Sequence, residues 1–350
     1  MIRIRPKHFR WAVLAVLLAG ILGFRFIPGA GEVYSQTLYP AISTLLARAS
    51  SFTSLLLEEI FVIGAALLLA VFPFTARRHK KKWTTVIGRE IEIMAWIYIW
   101  FYWGWGMNYF RNSFFQRADV AAATYQENVF LRFLHAYTDS LNASFVPLSP
   151  SHRTEIHTYE QEVKNIYQSF PEHFGLRKPC AFQHPKQSLM DGLYSAVGVL
   201  GYMGPFFAES YVNPQMKADA FTYAHELSHW LGVSSEAEAN FWAYQTCIRS
   251  SVPAVRYQGY SGLLPYILVN AASLLNENDS KKWTETIQPE VKEHYRQLHR
   301  YRQDLYNPFM GKIQDAVYNW YLKSNRIPSG QKNYAEVVGM ILSMPEEWWY

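Results

Sequence analysis

Apolar side chains crowd the first hundred residues and then thin into helical periods. The first run extends from Trp11 to Phe24, behind Arg3, Arg5, Lys7 and Arg10. With Arg25, Phe26 and Ile27 added it is just long enough to cross a bilayer, so residues 11–27 are expected to form an uncleaved anchor. The competing reading is a signal peptide cut near Gly29-Ala30, for which Ile27-Pro-Gly-Ala-Gly is only a loose match. A second run, Leu55 to Phe74, carries Glu58 and Glu59 near its start. It ends at Arg77-Arg78-His79-Lys80-Lys81-Lys82. A third, Ile91 to Met107 within an expected span of 88–107, is dense in Trp and Tyr, with Arg89, Glu90 and Glu92 at its start. Its aromatics suit an interface or a helix packed on its neighbours. Between the first two runs Val33, Leu38, Ile42, Leu45 and Leu46 fall near a helical period, which predicts an external surface helix within 33–53.

Beyond residue 120 the periodicity is mainly helical. It predicts one helix over Ala121–Leu141 and another over Ser151–Phe170, with Ser151 or Thr154 near the start of the second. The stretch Ala181–Val212 is rich in Gly, Tyr, Phe and Val, and 197–200 and 206–212 read as short strands. Helices return from Pro214 to the end. The fold expected for residues 108–350 is thus α+β and helix-dominated with a small sheet, preceded by a transmembrane helical segment over 1–107.

Charge fixes a direction for this arrangement. Residues 1–107 hold 12 Lys/Arg against 5 Asp/Glu, and the remainder 21 against 23. The basic excess therefore belongs to the apolar part, and nucleic acid is excluded as an expected partner. The positive-inside rule puts the N-terminus and the 77–82 cluster in the cytoplasm, which leaves residues 108–350 outside it. Two cysteines, Cys180 and Cys247, form no Cys-x-x-Cys pair, so thiolate zinc is not expected. They either pair in an oxidising compartment or remain buried thiols.

The chemistry concentrates in residues 213–232, where helix signals bracket His225-Glu-Leu-Ser-His229. Asn213 suits an N-cap, Pro214 the first helical position and Gly232 the C-terminal cap. On a helix His225 and His229 share one face and can bind one Zn²⁺ through neutral imidazoles. Glu226 is then placed to take a proton from a water whose pKa the metal lowers. A third ligand is expected in Glu236-Ala-Glu238-Ala-Asn240, on a helix capped by Ser234 or Ser235. Glu236 and Asn240 share a face, in the gluzincin order of a ligand Glu followed by a residue that holds a ligand His. Glu238 is the alternative ligand, although Ser235-x-x-Glu238 also reads as a capping box. A metzincin pattern would need His or Asp at 235, where Ser stands. Tyr260 is the weak choice for a transition-state stabiliser, with Tyr211 and Tyr257 behind it. His294 and His299, on a charged helix, are expected to be solvated.

Trp103-Gly-Trp-Gly-Met-Asn-Tyr, Tyr202-Met-Gly-Pro-Phe-Phe, His225-Glu-Leu-Ser-His, Glu236-Ala-Glu-Ala-Asn-Phe, Arg256-Tyr and Tyr321-Leu-Lys-Ser-Asn together resemble the bacterial family of domains of unknown function numbered 3810 over nearly the whole chain. The resemblance implies a membrane-anchored, zinc peptidase-like domain outside the membrane. It carries His225, Glu226, His229 and the acidic residues of the 236–240 segment as its centre. It implies no particular substrate. The expected activity is metal-dependent hydrolysis of a peptide or protein near the bilayer. The alternatives are a membrane sensor or binding protein and a zinc-stabilised module without turnover.

Overall fold

The computed structural model describes residues 6–147, 152–329 and 336–350. Arg3, Arg5 and Ser151, used above to orient the first run and to start a helix, lie outside the described residues. The first apolar run folds as α1 (Pro6–Phe26). The periodic segment after it forms α2 (Ala30–Val33), a π-helical turn (Tyr34–Leu38) and α3 (Tyr39–Ser50). The second and third runs are α4 (Leu57–Arg78) and α5 (Trp83–Gly104). Two helical stretches, His8–Phe26 and Leu57–Arg78, are long and apolar enough to cross a membrane.

The chain divides into two compact units. The first is Met1–Asn112 together with Lys186–Leu189 and Gly204–Glu209. The second is Ser113–Pro185, Met190–Met203 and Ser210–Tyr350. Within the first unit α4 exposes Ile60, Ile63, Leu67, Val71 and Phe74, a face suited to lipid rather than water. Glu92 of α5 is buried, and its charge is matched by Arg10 at 3.2 Å and Arg89 at 2.7 Å. Glu58 and Glu59 are buried too, and they explain why the two inserted segments join this unit. Glu58 accepts from the Phe206 amide at 3.0 Å and its own amide donates to Glu209 at 2.9 Å. Lys186 pairs with Glu209 at 2.6 Å, and Glu59 accepts from the Ser188 hydroxyl and the Leu189 amide. Each buried carboxylate is thereby satisfied.

Three short strands, β1 (Pro185–Lys186), β2 (Gly201–Gly204) and β3 (Glu209–Val212), form a sheet in the order β1-β3-β2. β2 and β3 make a hairpin, extended by the Asn213 amide donating to Leu200 at 2.7 Å. The strand expected at 197–200 is instead the turn that follows helix Asp191–Ala196, because Gly198 adopts φ 79°. The extended run begins at Gly201, and the run expected from Phe206 begins at Glu209.

The second unit is helical around a buried pair. α6 (Phe114–Ala118), α7 (Glu127–Ser144) and α8 (His152–Ser169) come first, then α9 (Asp191–Ala196). The helix expected over 121–141 starts six residues late. Its buried positions, Phe130, Phe133, Leu134, Tyr137 and Leu141, begin only at 130, and the preceding alanines are exposed. α10 (Ala220–Trp230) and α11 (Glu236–Ile248) follow, buried at every residue. A helix buried all round needs every polar side chain matched inside the protein. α12 (Pro253–Leu274), α13 (Glu277–Thr286), α14 (Pro289–Leu305), α15 (Pro308–Ser324) and α16 (Val337–Ser343) complete the chain.

The start of α10 differs from the expected one. Asn213 Oδ1 caps only a turn, accepting from the Gln215 amide at 3.0 Å, and Lys217 at φ 48° breaks the path. Asp219 is the actual N-cap, accepting from the Thr222 amide at 3.1 Å. Gly232 at φ 96° ends the helix as expected, and Ser235 caps α11. Cys180 and Cys247 are both free thiols.

α11 and α12 approach closely at Gly259, where an added Cβ would sit 2.7 Å from Cys247 Cβ and 3.1 Å from the Ile248 amide nitrogen. Gly259→Ala is expected to force the two helices apart at a cost of about 1–3 kcal/mol. Thermal unfolding of the detergent-solubilised full chain reads this as a lowered Tm. Gly64→Ala, with open space at its Cβ position, serves as the control that leaves Tm unchanged.

Candidate metal centre

One helical turn separates His225 from His229 on α10, and the loop 231–235 turns the chain so that α11 packs against the same face. Glu236, the first residue of α11, points its carboxylate back at both imidazoles. Its Oε2 lies 3.2 Å from His225 Nε2 and 3.3 Å from His229 Nε2, and the two Nε2 atoms are 3.1 Å apart. A tetrahedral ion with bonds of about 2.0–2.2 Å to N and O donors would set neighbouring ligands roughly 3.3 Å apart. The triangle fits that geometry.

The far nitrogens confirm the direction of the lone pairs. His225 Nδ1 faces Asn240 Oδ1 at 2.9 Å, and His229 Nδ1 faces the Val233 carbonyl at 2.8 Å. Both partners are acceptors, so both Nδ1 atoms carry the proton and donate it. Each Nε2 is thereby the nitrogen turned into the triangle, and it offers a lone pair to an ion that displaces its proton. Glu236 Oε1 accepts from the Tyr318 hydroxyl of α15 at 2.6 Å, so only Oε2 is turned to the histidines. All three residues are buried. Among the described residues they form the one His/Cys/Asp/Glu group close enough to hold an ion.

Burial and charge oppose each other here. Burial alone would raise the Glu236 carboxyl, but the facing His229 and His225 hold it well below the usual carboxylate range. Burial would lower His229, and the same carboxylate outweighs it, raising the imidazole to about 9. Glu226 lies next to this pair, and burial, outweighing the lowering influence of His225 and His229, pushes its carboxyl up to about 7. β2 approaches it directly: a Cβ on Gly201 would stand 3.0 Å from Glu226 Oε1. Only glycine leaves room for that carboxylate beside the strand.

Glu238, the alternative ligand, is engaged elsewhere. Its carboxylate pairs with Arg117 and accepts from Trp242 Nε1 at 3.0 Å, while its amide donates to the Ser235 hydroxyl. Tyr260 packs its ring on Tyr137 and Tyr244, and its carbonyl accepts from the Tyr137 hydroxyl. None of its contacts involves the histidines. Tyr211 donates to Asp191 at 2.7 Å, and the Tyr257 hydroxyl lies 2.8 Å from His294 Nδ1.

Four contributors escaped the sequence reading. Tyr318, Arg117 and Gly201 reach the site from distant parts of the chain, and no local pattern marks them. The fourth is Tyr266, whose hydroxyl lies beside Asn240 and is pushed up to about 12, chiefly by burial. Tyr266 also lines a cavity of about 310 Å³ with Leu200, Phe221, Thr222, Leu264 and Leu298. Three of these wall residues are neighbours of residues at the centre. Thr222 lies one turn before Glu226, Leu200 precedes Gly201, and Tyr266 meets Asn240. His299 is exposed, as expected, and edges the same cavity, whereas His294, also expected in solvent, is half-buried in its wall.

Residues 34–342 match the family described as "Protein of unknown function (DUF3810)", and the chain belongs to that family. No curated protein and no solved structure matches it.

If the centre takes zinc, removing the Glu236 partner with Tyr318→Phe, or the His225 partner with Asn240→Ala, is expected to weaken its binding by about 10–100-fold. Competition against a chromophoric chelator measures it. Arg117→Ala should act differently. It strands the buried Glu238 carboxylate, costing about 3–5 kcal/mol in unfolding free energy, yet leaves one metal bound per chain.

Proposed function

We propose that this chain is a membrane-anchored, zinc-dependent metallopeptidase of gluzincin type. The observation that carries the reading is the convergence of three buried ligand atoms, each oriented by a second hydrogen bond, with a separate carboxylate beside them. A site that only stabilised the fold would favour a closed fourth protein ligand and has no need of Glu226. Zinc suits two imidazoles and one carboxylate at these spacings, and when bound it would supply Lewis acidity to a carbonyl and to water.

The chain's own groups then divide the work. His225, His229 and Glu236 hold the ion, while Asn240, the Val233 carbonyl and Tyr318 fix their orientation. Glu226 accepts a proton from the attacking water as its oxygen bonds to the scissile carbonyl carbon. It returns that proton to the leaving nitrogen as the C–N bond breaks. A carboxyl raised by burial is suited to both halves of this transfer. β2 is the terminal strand of the sheet, so a peptide in extended form can add to its outer edge beside Gly201 and Glu226. The adjoining cavity, largely apolar and aromatic, suits a large apolar side chain of the substrate. Within the membrane reading, α1 and α4 span the bilayer, α5 is a third crossing, and the metal-bearing unit faces away from the cytoplasm.

Glu226→Gln in the full chain is expected to retain about one zinc per chain and to abolish cleavage of a peptide library. His225→Ala is expected to lose the zinc as well. Equal activity of Glu226→Gln and wild type, or no zinc in wild type after loading, would end the peptidase reading.

A further inference from the structure

α15 carries a second apolar face that nothing in the peptidase reading requires. Phe309, Ile313, Val317 and Trp320 are 74%, 53%, 60% and 72% exposed. At about 100° per residue they fall within an arc of roughly 80° on one side of the helix. The opposite side is the inner one: Gly311 and Leu322 are buried there, and Tyr318 donates to Glu236. Solvent-facing helices normally place polar residues outward, so four large apolar residues in one stripe mark an interaction surface. Exposed Lys312 and Lys323 flank the stripe along one edge, while Asp315 is turned well away from it.

We infer that the outer face of α15 lies in the headgroup layer of an anionic bilayer. An apolar stripe edged by lysines, with a tryptophan near one end, is the pattern of a helix lying in the plane of a membrane interface. The aliphatic stems of the lysines extend the apolar face and their ammonium groups meet lipid phosphates. The same chain carries two helices long and apolar enough to cross a membrane, so a bilayer is present at the high effective concentration of a tether. The inner side of this helix touches the third metal ligand, so seating α15 on lipid would hold Tyr318 against Glu236.

The test uses the full chain in nanodiscs of phosphatidylcholine with phosphatidylglycerol. A bimane label is placed by Phe309→Cys or Trp320→Cys in a Cys180→Ser background, with Lys282→Cys on the exposed face of α13 as reference. Expected are quenching of the 309 and 320 labels by lipids carrying a shallow nitroxide and protection from iodide, with the reverse at 282. Val317→Cys, a third position on the same stripe, gives the same readout should either of the others fail to fold. Ile313→Glu is expected to restore iodide access at 320 and remove the lipid quenching. Iodide access at all stripe positions equal to that at 282, without lipid quenching, would overturn the inference. Shielding from both quenchers, with energy transfer between differently labelled copies, would overturn it in favour of a self-association surface. Neither outcome depends on zinc or on peptide cleavage, so the inference stands or falls apart from the peptidase reading.

Discussion

A single carboxylate, that of Glu236, sets the terms for the second unit. It is buried between two imidazoles and a phenol, and each of its oxygens is used. Such a group is tolerable inside a protein only if its charge is answered, and the answer fixes the positions of α10, α11 and α15 relative to one another. The helix that carries it and the helix that carries the two histidines are buried at every residue. Their stability therefore rests on apolar contacts on most faces and on matched polar groups along one seam. Asn240 and the Val233 carbonyl extend the seam by choosing the tautomer of each histidine. The same contacts that let the helices be buried also leave the two Nε2 atoms and Oε2 converging, so fold and site draw on one set of hydrogen bonds.

What could be read from the chain beforehand is what local spacing encodes. The pairing of His225 with His229, the shared face of Glu236 and Asn240, and the cap at Ser235 all lie within one or two helical turns. Backbone geometry alone relates them. The preference for Glu236 over Glu238 rested on the same spacing, and the structure places Glu238 against Arg117 and Trp242. Asn213-Pro214 shows where local signals mislead. An N-cap residue followed by proline also describes one isolated turn, and only the left-handed Lys217 ends it before α10 begins. Helix-dominated architecture with a small sheet was legible, whereas the strand limits were displaced because Gly198 interrupts an apolar run that otherwise reads as extended.

Partners supplied by tertiary contact were not legible. Tyr318 is one of 24 tyrosines and stands 82 positions after the carboxylate it touches. Tyr260, chosen from the same set, belongs to an aromatic cluster instead. Glu58 and Glu59 stand near the start of the second apolar run, with nothing beside them in the chain to answer their charge. In the folded unit they are acceptors for amides and a hydroxyl from residues more than a hundred positions away. In each case the sequence displays the residue but not its partner, and burial of a polar group is a property of the pair.

Gly201 joins these threads. Any side chain there would press on Glu226, so the strand and the carboxylate approach each other only through this glycine. That approach has two consequences under the peptidase reading. It desolvates Glu226, which raises its proton affinity toward the range useful for accepting and returning a proton near neutrality. It also brings the terminal strand beside the base, so that a backbone paired to β2 would present its carbonyl next to the proton acceptor. An unpaired strand edge is ordinarily a liability, which proteins cover or keep short. β2 is short, and at Gly201 it lies against the residue whose carboxylate a hydrolytic reaction would need. The terminal strand and the buried base thus meet through one glycine contact, and a side chain placed there would press on both.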